Sequence, residues 1–199
     1  NWAGLQSDRV YEQLTNTKSP VTIIPFKGEY FHLSPKSYKS NIPIYPVPNR
    51  EFPFLGIHLT RMVDGSLHVG PNAVLAFDRE GYKGIKINFK DSLKIVLDKT
   101  MYNVLRRYGK TVAKELLKAG SKSFFEKSVR RYWSNFSKND IIGYSCGIRA
   151  QATEEGNLLS DFRIEVVKNQ VHILNAPSPA ATSCLSIADT IIETIYSKS

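Results

Sequence analysis

Residues 171–195, VHILNAPSPAATSCLSIADTIIETI, constrain the fold of this chain more than any other stretch, because a short apolar strand, a tight turn and an amphipathic helix follow one another directly. Val171, Ile173 and Leu174 have the β-branched and apolar character of a buried strand, and Asn175-Ala176-Pro177 ends it, since proline has no N–H to continue a ladder. Ser178-Pro179 predicts the helix start, with serine as N-cap and proline at the first helical position. Ala181, Cys184, Leu185, Ala188, Ile191, Ile192 and Ile195 recur at three- and four-residue spacing, which predicts one stripe buried against a core. A helix entered straight from a strand through small residues leaves backbone N–H groups facing open space, and such a terminus favours an anion or an electron-rich ligand atom. The plainer alternative is a capped helix that closes an α/β core.

The 199 residues, 42% hydrophobic, suit one globular domain or two small ones, and no apolar run approaches the length that spans a bilayer. Two cysteines, Cys146 and Cys184, sit in apolar sequence without metal-ligand spacing, and so few thiols point to a reducing, cytoplasmic setting, with peripheral attachment to a membrane as a second option. Four scattered histidines announce no metal site. The net charge of +9 calls for an acidic partner, but much of the excess falls in residues 106–131, on the outward faces of expected helices. No nucleic-acid module is recognisable, and the basic residues lack the interleaved aromatics of a single-strand track, so nucleic acid is not an expected partner.

Taken in order, the chain opens with Ala3-Gly4 leading into a short helix spaced by Leu5, Val10 and Leu14. Val21 to Pro25 predicts one strand and Lys27 to Leu33 another, with a bend at Pro25 to Gly28. Residues 54–77 are the clearest hairpin, because Asp64-Gly65 between apolar runs is a strong turn signal. The period of two puts His58, Thr60 and Met62 on one face and Ile57, Leu59 and Arg61 on the other. A histidine there is either functional or a hydrogen-bonded structural residue. Residues 91–107 predict a helix capped by Asp91 or Ser92 with a stripe of Leu93, Val96, Leu97, Met101, Val104 and Leu105, and residues 111–119 and 121–133 two more, whose Phe124, Phe125, Val129, Tyr132 and Trp133 read as core. Strands return at residues 141–152 and 161–167 before the closing segment.

Several of these stretches, KGEYF, IYPVP, FPFLGIHLTRMVDGSLHVGPNAVLAF, REGY, GIRAQA, DFRIE and NAPSPAATS, resemble the D-amino-acid-oxidase-like flavoprotein superfamily, and within it the L-2-hydroxyglutarate oxidase/dehydrogenase branch. The likeness runs from Asn1 to Ile192 and is weakest in the helical insert, residues 91–133. It implies a mixed α+β fold: a substrate domain on a large mixed sheet over residues 23–140, flanked by parts of an FAD-binding α/β domain at residues 1–22 and 141–199. The family's opening Gly-x-Gly-x-x-Gly turn, which holds the FAD pyrophosphate, does not occur in these residues. The expectation is therefore a C-terminal fragment of a longer enzyme or a truncated product, with a missing N-terminal FAD-binding segment as its partner and little FAD binding or activity alone.

The chemistry implied by the resemblance is oxidation of L-2-hydroxyglutarate to 2-oxoglutarate by hydride transfer to FAD. It makes His58 the catalytic base, Arg149 the carboxylate-binding arginine of a Gly-x-Arg motif, and Tyr30, Thr60 and Arg61 further substrate contacts. Ala3, Gly4, Gly147, Ala176, Pro177, Ser178, Pro179, Ala180, Ala181 and Thr182 are the corresponding cofactor contacts. Contact with an electron acceptor, at a membrane or elsewhere, completes the expected partners. Two other readings stand beside this one: a catalytically silent fold or interaction module, and a relative that oxidises amino acids such as glycine.

Overall fold

In a computed structural model of the chain, residues 1–34, 42–47, 57–82, 86–97, 99, 102–103, 106, 122–176 and 180–197 are described. They form a mixed α+β structure that divides into two compact units. The first comprises residues 1–25, 93–106 and 150–199, and the second residues 26–92 and 107–149.

Antiparallel strands run in the order β2-β3-β1-β4, where β1 is Thr22–Leu33, β2 is His58–Arg61, β3 is Leu67–Leu75 and β4 is Ile141–Glu154; the second unit holds β2, β3, β1 from Phe26 on and β4 up to Arg149. As the sequence predicts, β2 and β3 form a hairpin around Asp64-Gly65: Gly65 takes a left-handed φ of 80°, and the Asp64 carboxylate accepts bonds from the N–H and hydroxyl of Ser66. Residues 52–56, which open the quoted motif, lie outside the described residues. On one face of the sheet Leu33, Leu59, Leu67 and Val69 pack against Phe125 and Val129 of the helix α3, Lys122–Val129, and against Phe136 beyond it. Of the predicted aromatic cluster, Phe125 is core and Tyr132 and Trp133 pack partly buried against it, while the Phe124 side chain lies outside the described residues. Tyr132 ties the cluster down by donating to the Ile57 carbonyl at 2.8 Å, and burial raises the pKa of that phenol far above its ordinary value.

Several expectations need correction. The bend at Pro25 is absent: β1 is one continuous strand, because Pro25 is buried in an extended segment that needs no bond from its nitrogen. Helix α2 starts at Phe89 and runs to Leu97. Its cap is Asn88, whose side-chain oxygen accepts from the Asp91 N–H at 3.3 Å, while Asp91 is buried and accepts from the Arg79 N–H. Its predicted stripe is largely exposed at Leu93, Val96 and Leu97, and Ile95 is the buried residue. Met101, Val104, Leu105 and residues 111–121 lie outside the described residues.

In the first unit, a turn of 3₁₀ helix at Gly4–Gln6 leads into α1, Ser7–Thr15, which Asn16 ends in the left-handed region. Tyr11, Val21, Ile23, Ala152 and Leu174 form its core. Strands β6, Arg163–Val167, and β7, Gln170–Asn175, make an antiparallel hairpin, and the short β5, Asn157–Leu158, pairs with the end of β4. The closing helix α4, Cys184–Ser197, begins later than Ser178-Pro179 predicts; residues 180–183 form a turn, and the Ser183 carbonyl accepts the Ile187 N–H. The predicted stripe is present in sequence but not buried: Leu185 is 81% and Ile192 50% exposed, and Ile187 is the buried position. Periodicity marks a face; it does not supply what covers it. No helix among the described residues is long and apolar enough to cross a membrane.

Candidate active site

The second unit's sheet has one apolar face and one polar face. Directly paired residues project to the same side, and the register pairs His58 with Gly70, Thr60 with His68, and His68 with His32. The intervening pairs, Leu59 with Val69 and Leu33 with Leu67, are the core. The alternation that buries Leu59 therefore raises His58 and Thr60 on the opposite side.

His58 is held on three sides. Its Nδ1 lies 3.0 Å from Thr60 Oγ1, the Tyr30 ring meets it edge-on at a centroid distance of 5.9 Å, and the Tyr45 ring lies 4.8 Å away at 33°. Burial lowers the pKa of this imidazole below its ordinary value, so the ring is neutral at neutral pH. With Nδ1–H donating to Thr60, the lone pair of Nε2 has no hydrogen-bond partner among the described residues. Tyr30 is held protonated: burial first, then Tyr45, raises its pKa. Its position depends on Gly70, where φ is +154° and an added Cβ would stand 2.5 Å from the Glu29 carbonyl oxygen and 3.1 Å from the Tyr30 ring.

Tyr30 also lines an open cleft of about 300 Å³, together with Phe26, Lys27, Gly28, Pro71, Gly147, Ile148 and Arg149. Among the described residues nothing stands within 4 Å of where a Gly147 side chain would begin, so its backbone faces the cleft there. Arg149 is at the rim, open to solvent yet crowded enough that desolvation lowers its pKa.

Tyr30, His58, Thr60, Gly147 and Arg149 thus share the second unit. Arg61 is on the core-facing side of β2, paired with Leu67, where it donates to the Gly65 carbonyl at 3.1 Å; the structure does not bring it to His58. Ala3, Gly4, Ala176, Ala180, Ala181 and Thr182 belong to the first unit, where Gly4 has a left-handed φ of 53°. Pro177, Ser178 and Pro179 lie outside the described residues.

A family model described as FAD dependent oxidoreductase (DAO) matches residues 1–194. The chain belongs to that family. This DAO-family chain is similar to the L-2-hydroxyglutarate dehydrogenase of Indibacter alkaliphilus, with 44% identity over 195 residues, covering 97% of the chain and 49% of the relative. It is 40% identical to the L-2-hydroxyglutarate dehydrogenase of Escherichia coli K12, covering 97% of the chain and 46% of the relative. The human mitochondrial L-2-hydroxyglutarate dehydrogenase is 38% identical, with 98% and 44% covered. The chain spans about half the length of these relatives. Among solved structures, dithionite-reduced L-alpha-glycerophosphate oxidase from Mycoplasma pneumoniae with FAD bound has a TM-score of 0.61 at 19% identity, covering 98% of this chain and 41% of its own, which establishes a shared fold.

Two features of this DAO-family face are missing from the sequence reading. Tyr45 reaches His58 because Ile44 and Leu59 exchange backbone hydrogen bonds at 2.9 Å, a non-local pairing that the proline-set IYPVP stretch does not reveal. His32 and His68 stack at 4.1 Å, a consequence of register between strands distant in sequence. The alternation of His32 with buried Leu33 is the one local signal.

Proposed function

We propose that this chain carries the substrate-handling part of an FAD-dependent dehydrogenase that oxidises L-2-hydroxyglutarate to 2-oxoglutarate. The observation that carries the reading is the double placement of Tyr30: its ring touches His58, and it lines the same cleft as Arg149. This supports the reading because Tyr30 adjoins the residue proposed as the base and shares a cleft with the residue proposed to bind the carboxylate.

FAD, when bound, supplies the hydride acceptor. Within the second unit, the backbone of Gly147, with no described heavy atom within 4 Å of where a side chain would begin, fits the approach of a flat ring system. Ala3, Gly4, Ala176, Ala180, Ala181 and Thr182 of the first unit are proposed as cofactor contacts on the family resemblance. Pro177, Ser178 and Pro179 complete that proposed set. Arg149 binds the carboxylate next to the reacting carbon through its planar fork. His58 Nε2 takes the hydroxyl proton as the carbon–oxygen bond becomes a carbonyl, and Thr60 holds the ring in the tautomer that leaves Nε2 free to accept. Neutral Tyr30 donates its O–H to the substrate oxygen or a carboxylate.

The test is anaerobic mixing of the complete flavoprotein with L-2-hydroxyglutarate, followed by loss of the oxidised flavin absorbance. Reduction by this diacid and not by glycine supports the proposal. Reduction by glycine alone makes the protein an amino-acid oxidase, and no reduction by either makes the fold a silent one.

A further inference from the structure

We propose that Ser145, oriented by His32, forms the subsite for the far carboxylate of the diacid, at the opposite end of a strip of bare backbone from Arg149. This rests on the function proposed above and assigns a specificity role to residues outside the base and the carboxylate clamp.

Alternate residues of β4 read Gly143, Ser145, Gly147, Arg149, and the period of a strand sends all four to one side. That side is the polar one. A Cβ at Gly143 would meet the His32 ring at 3.6 Å, and one at Gly28 would come within 4.0 Å of the Gly147 carbonyl, so β4 runs beside β1 with Gly143 next to His32 and Gly147 next to Gly28. At 3.3 Å per residue, the Ser145 and Arg149 backbones stand about 13 Å apart. An extended five-carbon diacid with a hydrogen bond of about 2.8 Å at each end covers a span of about that order. Between the two lies Gly147, with no heavy atom of the described residues within 4 Å of where its side chain would be.

The far end offers a donor. His32 Nε2 lies 2.9 Å from Ser145 Oγ. When Nε2–H donates to that oxygen, the serine O–H is turned outward with its proton available for a carboxylate. The imidazole is itself fixed: it stacks on His68 at 4.1 Å and 7°, and His68 Nε2 lies 3.2 Å from Ser66 Oγ, which donates to Asp64 at 2.6 Å. A histidine so braced on a half-exposed sheet face orients its neighbour at little entropic cost.

The experiment compares L-2-hydroxyglutarate with L-2-hydroxypentanoate, the same chain without the far carboxylate, in the complete flavoenzyme and its Ser145→Ala and His32→Gln variants. The readout is the ratio of kcat/KM for diacid over monoacid. Ser145→Ala is expected to cut that ratio by about 10- to 100-fold, the worth of a hydrogen bond to a charged group, mostly through KM for the diacid. His32→Gln, which keeps a side-chain donor, should cut it less. Flavin absorbance and thermal midpoint report whether each variant is folded, and glutarate inhibition constants give the same comparison without turnover. A wild-type enzyme that prefers the diacid and whose Ser145→Ala form retains that preference overturns the subsite alone. A wild-type enzyme that treats both acids alike overturns the subsite together with the proposed function.

Discussion

His58 Nδ1 and Thr60 Oγ1 lie 3.0 Å apart, two residues along one strand, so the strand's own repeat brings the hydroxyl to the ring nitrogen. His58→Ala in the complete enzyme is expected to slow flavin reduction by about 10²–10⁴-fold with substrate binding nearly intact. Thr60→Val keeps the shape and removes the acceptor. It should slow reduction less and lower the apparent pKa of the pH–rate profile, because the bond that steadies Nδ1–H in the protonated ring is lost. Rapid-mixing absorbance across pH reads both effects.

Arg149→Lys keeps a positive charge and loses the planar fork. The expected result is weakened substrate binding of roughly 1.5–3 kcal/mol with a smaller change in the rate of reduction at saturation. A variant that binds normally but reduces slowly would move Arg149 from the clamp to the chemistry.

Gly70→Ala introduces a side chain where the backbone is left-handed and the Glu29 carbonyl stands 2.5 Å away. A backbone oxygen cannot swing aside, so β3 and β1 must separate and Tyr30 must shift. Destabilisation on the order of 1–3 kcal/mol is expected, read as a lower denaturation midpoint, together with a raised KM.

Folding stability should fall on acidification. Burial lowers the pKa of both His58 and His68 below the ordinary 6.5. As pH drops through that value the unfolded chain takes up protons that the folded chain resists, so unfolding is favoured; stability is fully present above the unfolded pKa and declines below it. Urea midpoints at about pH 7.5 and about pH 5.5 measure the decline, and His58→Gln should make it shallower.

What the sequence made legible was local. Asp64-Gly65 announces the hairpin because the turn chemistry is carried by the turn residues themselves, and the period of two around His58 correctly separates His58 and Thr60 from Leu59. The spacing of Phe125 and Val129 identifies a buried helix face. The rest depended on pairings the chain makes at a distance. Pro25 looks like a break until the strand around it is seen to need nothing from its nitrogen. Ser178-Pro179 has the chemistry of a helix start, but the helical bonds begin later, where the Ser183 carbonyl meets the Ile187 N–H. Tyr45 and the His32–His68 pair come to the polar face through register alone.

The two faces of the hairpin divide its residues by parity. In β2 and β3, odd-numbered Leu59, Leu67 and Val69 are core, while even-numbered His58, Thr60, His68 and Gly70 face the candidate site. A saturation scan of residues 58–60 and 67–69, scored separately for protein abundance and for turnover, should therefore alternate position by position; past Gly70 the register shifts and odd-numbered Pro71 lines the cleft. Changes at odd sites would lower yield, and those at even sites other than Gly70 would lower activity per folded molecule. This short stretch then lets selection adjust chemistry and folding almost independently, one residue apart.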